Sequence, residues 1–162
     1  MKQAMTDPAF HPVIIIDSRE QDPLAFINCP SEDATLATGD YSLKGFENEF
    51  TIERKSLEDL AKSVTYDRPR FERELVRMRG YAFRRLLIVG TVAEIENHAY
   101  RSKAEPKAII ASVTAFEIRY GVPVAYCPTP AAAALQVERW AFYYMRERVK
   151  AAQEIVSRYA TA

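Results

Sequence analysis

The chain predicts an α/β fold, a central mixed sheet flanked by helices. Three observations carry that expectation. Val13-Ile14-Ile15-Ile16 and Phe83 to Val89 have the length and apolar character of strands buried on both faces. Helix starts recur between and after them: Ser56 three residues before Asp59, Asp67 ahead of Pro69, Thr91 three before Glu94, and Thr129 ahead of Pro130. Strand and helix signals also alternate along the chain instead of segregating.

Composition bounds the rest. The chain has 162 residues, 48% of them hydrophobic, which suits one domain with a real core. Twenty-two basic and 22 acidic side chains cancel to a formal net charge of zero. That argues against a nonspecific nucleic-acid coat and leaves room for a local basic face. Cys29 and Cys127 lie far apart without metal spacing and read as buried free thiols. No apolar run reaches membrane-spanning length and the N-terminus has no signal-peptide core, so the expectation is a soluble, cytoplasmic protein with no membrane partner. Residues 1–12, with Pro8 and Pro12, read as a lead-in, and 13–160 as one domain ending in a long helix.

In chain order, the first strand ends on Asp17-Ser18-Arg19-Glu20. Asp17 is there either a site carboxylate or the cap of a strand-end turn, with Arg19 and Glu20 as its partners or each other's. A short strand is expected around Ala25 to Ile27, and Leu36 is a core contact. Tyr41 to Leu43 and Glu49 to Arg54 form a hairpin after Gly39-Asp40. A first helix runs from about Leu57 to Ser63. A second starts at Asp67 and continues to about Arg79, with Phe71, Leu75 and Met78 as its apolar stripe. Its other face carries Arg68, Arg70, Arg73, Arg77 and Arg79. That face is either solvated, with Arg70 supported by Glu74 one turn on, or a surface that tracks phosphates. Phe83 to Val89 is a strand closing at Gly90, followed by a short helix to about Asn97. The next helix is capped by Ser102 and Glu105. Ile109, Val113, Phe116 and Tyr120 face the core, and Gly121 is the C-cap. Val122 to Tyr126 is the last strand. The final helix runs from Pro130 to about Tyr159. Its apolar residues exceed one stripe, and Phe142 and Tyr143 predict a second buried face for a homodimer or a partner subunit.

The chemistry concentrates on Gly39-Asp40-Tyr41 and Glu53-Arg54-Lys55. Residues i and i+2 share a strand face, so Glu53 and Lys55 point together while Arg54 points away. The hairpin brings Asp40 beside Glu53. Carboxylate oxygens suit hard divalent cations, and a nearby lysine can orient a water or offset charge on a phosphorane. The sequence has no internal repeat, Gly-rich phosphate loop or zinc spacing, and two scattered histidines give Ser-His-Asp or Cys-His catalysis little support.

These separated motifs, Ile16-Asp17-Ser18-Arg19-Glu20, Gly39-Asp40-Tyr41 and Glu53-Arg54-Lys55 with Asp59, resemble the nuclease domain of the XPF-type structure-selective endonucleases. Tyr66-Asp67-Arg68-Pro69-Arg70 with Glu74, and Arg119 to Val124 with Thr129-Pro130, extend the resemblance from about Val13 to Val149. It implies a restriction-endonuclease-like fold and metal-dependent hydrolysis of DNA near branches, flaps or junctions, in repair or recombination. On that resemblance Asp17, Asp40 and Glu53 hold Mg²⁺ or Mn²⁺, the backbone carbonyl of Arg54 completes the shell, and Lys55 orients or activates the attacking water. Arg19, Glu20, Arg54 and Asp59 support the site, and Arg70 contacts a phosphate, with Arg68, Arg73 and Arg77 beside it. Relatives of this type usually work as dimers. Many add a helix-hairpin-helix module or a helicase domain; this length holds neither, which leaves a stand-alone nuclease or one half of a larger assembly with a DNA-binding partner subunit. The alternative is a catalytically silent, dimerising scaffold for DNA or a partner protein, although every motif acid and the lysine are present.

Overall fold

A computed structural model describes residues 11–160. The part of the lead-in before His11 lies outside the described residues. Among these, six strands form one sheet: β1 (Ile14–Asp17), β2 (Ser31–Ala34), β3 (Tyr41–Leu43), β4 (Phe50–Ser56), β5 (Phe83–Val89) and β6 (Val124–Cys127). Their spatial order is β2-β1-β3-β4-β5-β6. β3 runs antiparallel to β1 and β4, and the other pairs are parallel, so the sheet is mixed as expected. The helices are α1 (Leu57–Ser63), α2 (Arg68–Met78), α3 (Val92–Glu96), α4 (Pro106–Tyr120) and α5 (Pro130–Tyr159). No helix among the described residues is long and apolar enough to cross a membrane.

The two-residue period of the strands divides the core. Ile14, Ile16, Tyr41, Leu43, Phe50, Ile52 and Leu87 face α5, packing on Ala133, Ala134, Val137 and Ala141. Leu86 and Ile88 face the other way, into Leu60, Phe71, Leu75 and Met78 of α1 and α2 and Ile109, Val113 and Phe116 of α4. Both cysteines are buried and free. Phe50 stacks on Phe83 at 4.3 Å between centroids, and Tyr144 from α5 meets both rings edge-on.

Local chemistry explains the boundaries. The Ser56 hydroxyl accepts from the Asp59 N–H, stopping β4 and starting α1 in one residue. Thr91 and Glu94 form a reciprocal capping box. Gly121 closes α4 in the left-handed conformation, at φ 61°. Three expectations need correction. The residue flanking α4 is Glu105, without a side-chain cap bond, and Ser102 lies outside the helix. Asp67 precedes α2 without capping it through its side chain. Residues 25–27 form no strand; the strand in this region is the exposed β2, Ser-Glu-Asp-Ala, held by parallel pairing to β1. A short, acidic outer strand has no apolar alternation to betray it, and such charges discourage edge-to-edge association.

The loop at residues 27–29 is organised by a buried anion. Glu138 of α5 is 1% exposed. Its Oε1 accepts the N–H groups of Ile27, Asn28 and Cys29 at 2.8, 2.6 and 3.1 Å, and its Oε2 accepts the Asn28 side-chain amide at 2.6 Å. Burial and this carboxylate push the Cys29 thiol up to about 11. Phe142 is also buried within the monomer, so of the two aromatics expected to form a second face only Tyr143 remains exposed. Replacing Glu138 with alanine removes the acceptor of three amides, that of the buried Cys29 among them, and the expected loss is about 1–3 kcal/mol of unfolding free energy in urea titration.

Candidate active site

Strand parity assembles the site. Asp17, Asp40, Glu53 and Lys55 lie opposite the α5 side of the sheet, because Ile16, Tyr41, Ile52 and their neighbours occupy that side. Asp17 and Asp40 sit across from one another on adjacent strand ends, where the Asp17 N–H donates to the Asp40 carbonyl at 2.8 Å. The Asp40 N–H donates in turn to the Ile52 carbonyl at 2.8 Å, and Asp40 Oδ2 accepts the Arg54 N–H at 2.8 Å. Three acids from three neighbouring strands thus line one face beside the end of β4. Gly39 permits this approach. Its φ is 81°, and a Cβ there would lie 2.2 Å from Thr51 Oγ1 and 2.9 Å from the Ile52 carbonyl oxygen.

The groups differ in electrostatic state. Burial, then repulsion from Glu53, pushes Asp40 up to about 8 against the pull of the Arg54 N–H. Burial also raises Glu53, opposed by Lys55, whose Nζ lies 2.9 Å from Glu53 Oε1. Burial disfavours the Lys55 ammonium, but Glu53 and Asp40 outweigh it and raise its pKa. The ammonium also sits 5.1 Å from the Phe71 ring centroid. Asp17 goes the other way. Burial raises its pKa, but Arg19 and the Leu36 N–H together hold it below the usual carboxylate range. Arg19 Nε donates to Asp17 Oδ2 at 2.8 Å, and the Leu36 N–H to Oδ1 at 2.9 Å.

These groups line a cleft of about 370 Å³ between the sheet end, α1 and α2. Asp17, Arg19, Asp40, Glu53, Lys55, Asp59, Arg70 and Arg77 all border it. The remaining expected site residues do not. Arg54 points to the α5 side and pairs with Glu20 at 3.2 Å. Arg68 turns toward α4, donating to Ser112 Oγ at 3.0 Å and lying 4.7 Å from the Phe116 ring. Arg73 is exposed and does not line the cleft. Asp59, in the first turn of α1, is tied to its cap, accepting from Ser56 Oγ at 3.0 Å, and lies 3.7 Å from Lys62. At Glu74 the structure differs from the pairing with Arg70 that helical spacing offers as one alternative. Glu74 pairs with Arg77 instead of Arg70, and its Oε1 accepts the Gly39 N–H at 3.1 Å. Its i+3 spacing to Arg77 was the available signal, but nothing local points to Gly39.

The donor set suits a hard divalent cation in one respect. Asp40, half-buried, and Glu53, buried, are neighbouring carboxylates, and Glu53 repels Asp40, with one ammonium to offset them. Mg²⁺ commonly takes one or two protein carboxylates and fills its shell with water and substrate oxygens. Among the described residues, no three acidic, histidine or cysteine side chains already form a metal cluster. Both Asp17 oxygens accept hydrogen bonds, from Arg19 and the Leu36 N–H, whereas the Arg54 N–H engages Asp40 through Oδ2 and Lys55 engages Glu53 through Oε1.

The ERCC4 domain family model matches residues 16–139. Two solved structures from the archaeon Aeropyrum pernix share the fold. XPF has a TM-score of 0.65 and 24% sequence identity over 80% of this chain and 60% of that one. XPF in complex with DNA has a TM-score of 0.68 and 21% identity over 85% of this chain and 66% of that one. The chain therefore spans about three fifths to two thirds of the length of those archaeal proteins. No curated protein matches it.

The Asp40 shift makes a prediction for the metal-free protein. An unfolded Asp40 ionises near its ordinary 3.8, the folded one near about 8. Between these values the folded state holds the extra proton, so this group's contribution to stability falls as pH rises from about 4 to about 8 and then levels. In EDTA, Asp40→Asn should melt above wild type at pH 8 and show no such advantage at pH 4, as read by thermal melts across that range.

Proposed function

The chain belongs to the ERCC4 domain family of XPF-type nucleases, and we propose that it is a divalent-metal-dependent DNA endonuclease acting near branches, flaps or junctions in repair or recombination. The observation that carries this reading is the joint placement of Asp40, Glu53 and Lys55 in a cleft bordered by Arg70 and Arg77. In this reading Asp40 and Glu53 hold Mg²⁺ or Mn²⁺. When bound, the cation supplies Lewis-acid stabilisation of charge at a phosphodiester.

The chain's own residues do the rest. Lys55 keeps its proton in the free protein, so it serves as a hydrogen-bond donor that orients a water or offsets charge on the scissile phosphate. It is a poor general base in that state. Asp17 acts through position: with Arg19 and Leu36 it fixes the end of β1 against the Asp40 carbonyl. Arg70 and Arg77 border the cleft on its α2 side, where guanidinium groups suit the phosphates of a passing strand. Arg68, packed on Phe116, braces α2 against α4.

The homodimer belongs to the same proposal. Trp140, Tyr143 and Tyr144 of α5 border an apolar groove with Phe83, and Arg139 Nε is buried beside it without a hydrogen-bond partner among the described residues. Ile155, Val156 and Tyr159 continue the exposed apolar surface along the same helix. A second copy of α5 is the occupant proposed. Sedimentation of wild type should give a dimer and Tyr143→Arg a monomer; a wild type that stays monomeric at high micromolar concentration rejects this contact.

The activity test uses labelled single-stranded, duplex, splayed, flap and four-way DNA with and without Mg²⁺ or Mn²⁺. Wild type should cut only with metal and prefer the branched substrates. Glu53→Ala should lose metal binding and cleavage together. Lys55→Ala should keep metal binding and lose about 100-fold or more in turnover. A folded wild type that cuts nothing points to the silent scaffold, and a Lys55→Ala that cuts at the wild-type rate removes the lysine from the mechanism.

A further inference from the structure

Glu74 is a cleft acid that the proposed chemistry leaves without a task. It stands in the middle of α2, one turn beyond Arg70 and one before Arg77. Its side chain is 20% exposed. Its two oxygens look in different directions: Oε1 accepts the Gly39 N–H at 3.1 Å, and Oε2 pairs with Arg77. The first contact is long-range, joining the arginine-bearing helix to the turn that enters β3.

What lies at that turn gives the contact weight. Gly39 has a positive φ and packs so tightly on β4 that a Cβ would meet Thr51 Oγ1 at 2.2 Å. Thr51 Oγ1 is itself fixed, donating to the Thr38 carbonyl at 2.9 Å. The next residue, Asp40, ties to β4 through the Ile52 carbonyl and the Arg54 N–H. The turn is thus held from the sheet side by β4 and from the helix side by Glu74. A residue that holds the peptide preceding a ligand carboxylate sets the direction in which that carboxylate points. Supporting contacts of this kind are typically worth about 10- to 100-fold in metal affinity or activity.

We propose that Glu74 is a positioning residue that fixes the Gly39–Asp40 turn through its hydrogen bond to the Gly39 N–H, and so couples the arginine helix that receives the DNA backbone to the carboxylate that receives the metal. The proposal rests on the nuclease reading for its purpose, and on Glu74, Gly39 and Arg77 for its geometry. Glu74 acts here as an acceptor, so a neutral acceptor of the same length should serve.

The test measures three quantities on the full chain: Mn²⁺ binding without DNA by electron paramagnetic resonance, kcat and KM on a branched substrate, and amide exchange at Gly39 by NMR. Glu74→Ala should weaken Mn²⁺ binding and lower kcat about tenfold or more, change KM less than threefold, and speed exchange at Gly39. Glu74→Gln should restore most of all three. Glu74→Asp keeps the charge, the helix and a partner for Arg77 but shortens the reach; it should repeat the alanine pattern even if the alanine variant folds poorly. Wild-type Mn²⁺ binding and Gly39 exchange in Glu74→Ala or Glu74→Asp overturn the proposal. Equal damage in Glu74→Gln and Glu74→Ala also overturns it, because the negative charge and not the acceptor then matters. A wild type that neither binds Mn²⁺ nor cuts sinks the nuclease reading instead, and Gly39 exchange in the variants still decides whether Glu74 holds the turn.

Discussion

Two carboxylates that repel each other out of water, with one ammonium to offset them, set the terms for the rest of the molecule. Burial raises the pKa of both Asp40 and Glu53, and repulsion from Glu53 adds to it at Asp40. The backbone does not let them part. Asp40 is bonded to β4 at Ile52 and Arg54, Asp17 is bonded to Asp40, and Gly39 admits no side chain between the strands. The strain is electrostatic, stored against a ladder of backbone hydrogen bonds that cannot rearrange without opening the sheet. Such a site is poised to accept positive charge, which gives unfavourable local energetics a use.

The two faces of β4 divide the labour. Phe50 and Ile52 are fully buried on the α5 side, where stacked rings and small alanines close the core. Thr51, Glu53 and Lys55 point to the α1 and α2 side, where the core gives way to the cleft as the strand ends. Arg54, on the apolar side, does not reach the cleft. It pairs with Glu20 on the side where the buried Tyr41 ring lies, and the Tyr41 hydroxyl accepts the Leu24 N–H. The middle residue of the Glu-Arg-Lys triplet therefore braces the sheet, while its neighbours face the cleft.

Elements with a local physical signal were legible in the sequence. The bounds of α1, β5 and α5 follow from caps and apolar runs, and period-2 alternation placed Glu53 and Lys55 together. Asp40 beside Glu53 was legible because a hairpin leaves few other registers. What was illegible depends on partners far along the chain. β2 is a strand only because β1 lies next to it. Residues 27–29 are ordered by Glu138, which reads in isolation as an ordinary helix glutamate. Arg68 and Arg77 belong to one basic helix, yet α4 takes the first and the cleft takes the second. Helical spacing offers Glu74 to Arg70, and the turn at Gly39 that claims it lies 35 residues earlier.

The cradle around Glu138 also bears on the order of assembly. Its contacts span about 110 residues, from the loop before β2 to the middle of the last helix. On a ribosome, the amides of Ile27, Asn28 and Cys29 emerge long before the carboxylate that satisfies them. Until α5 docks the Cys29 amide, buried in the folded chain, must stay hydrated, so that end of the loop cannot close over its own backbone. The early part of the sheet is therefore left with a loose margin, and α5 is the piece that seals it. Synthesis from the N-terminus thus delivers the acids of the cleft first and the clasp that locks the adjoining strand last.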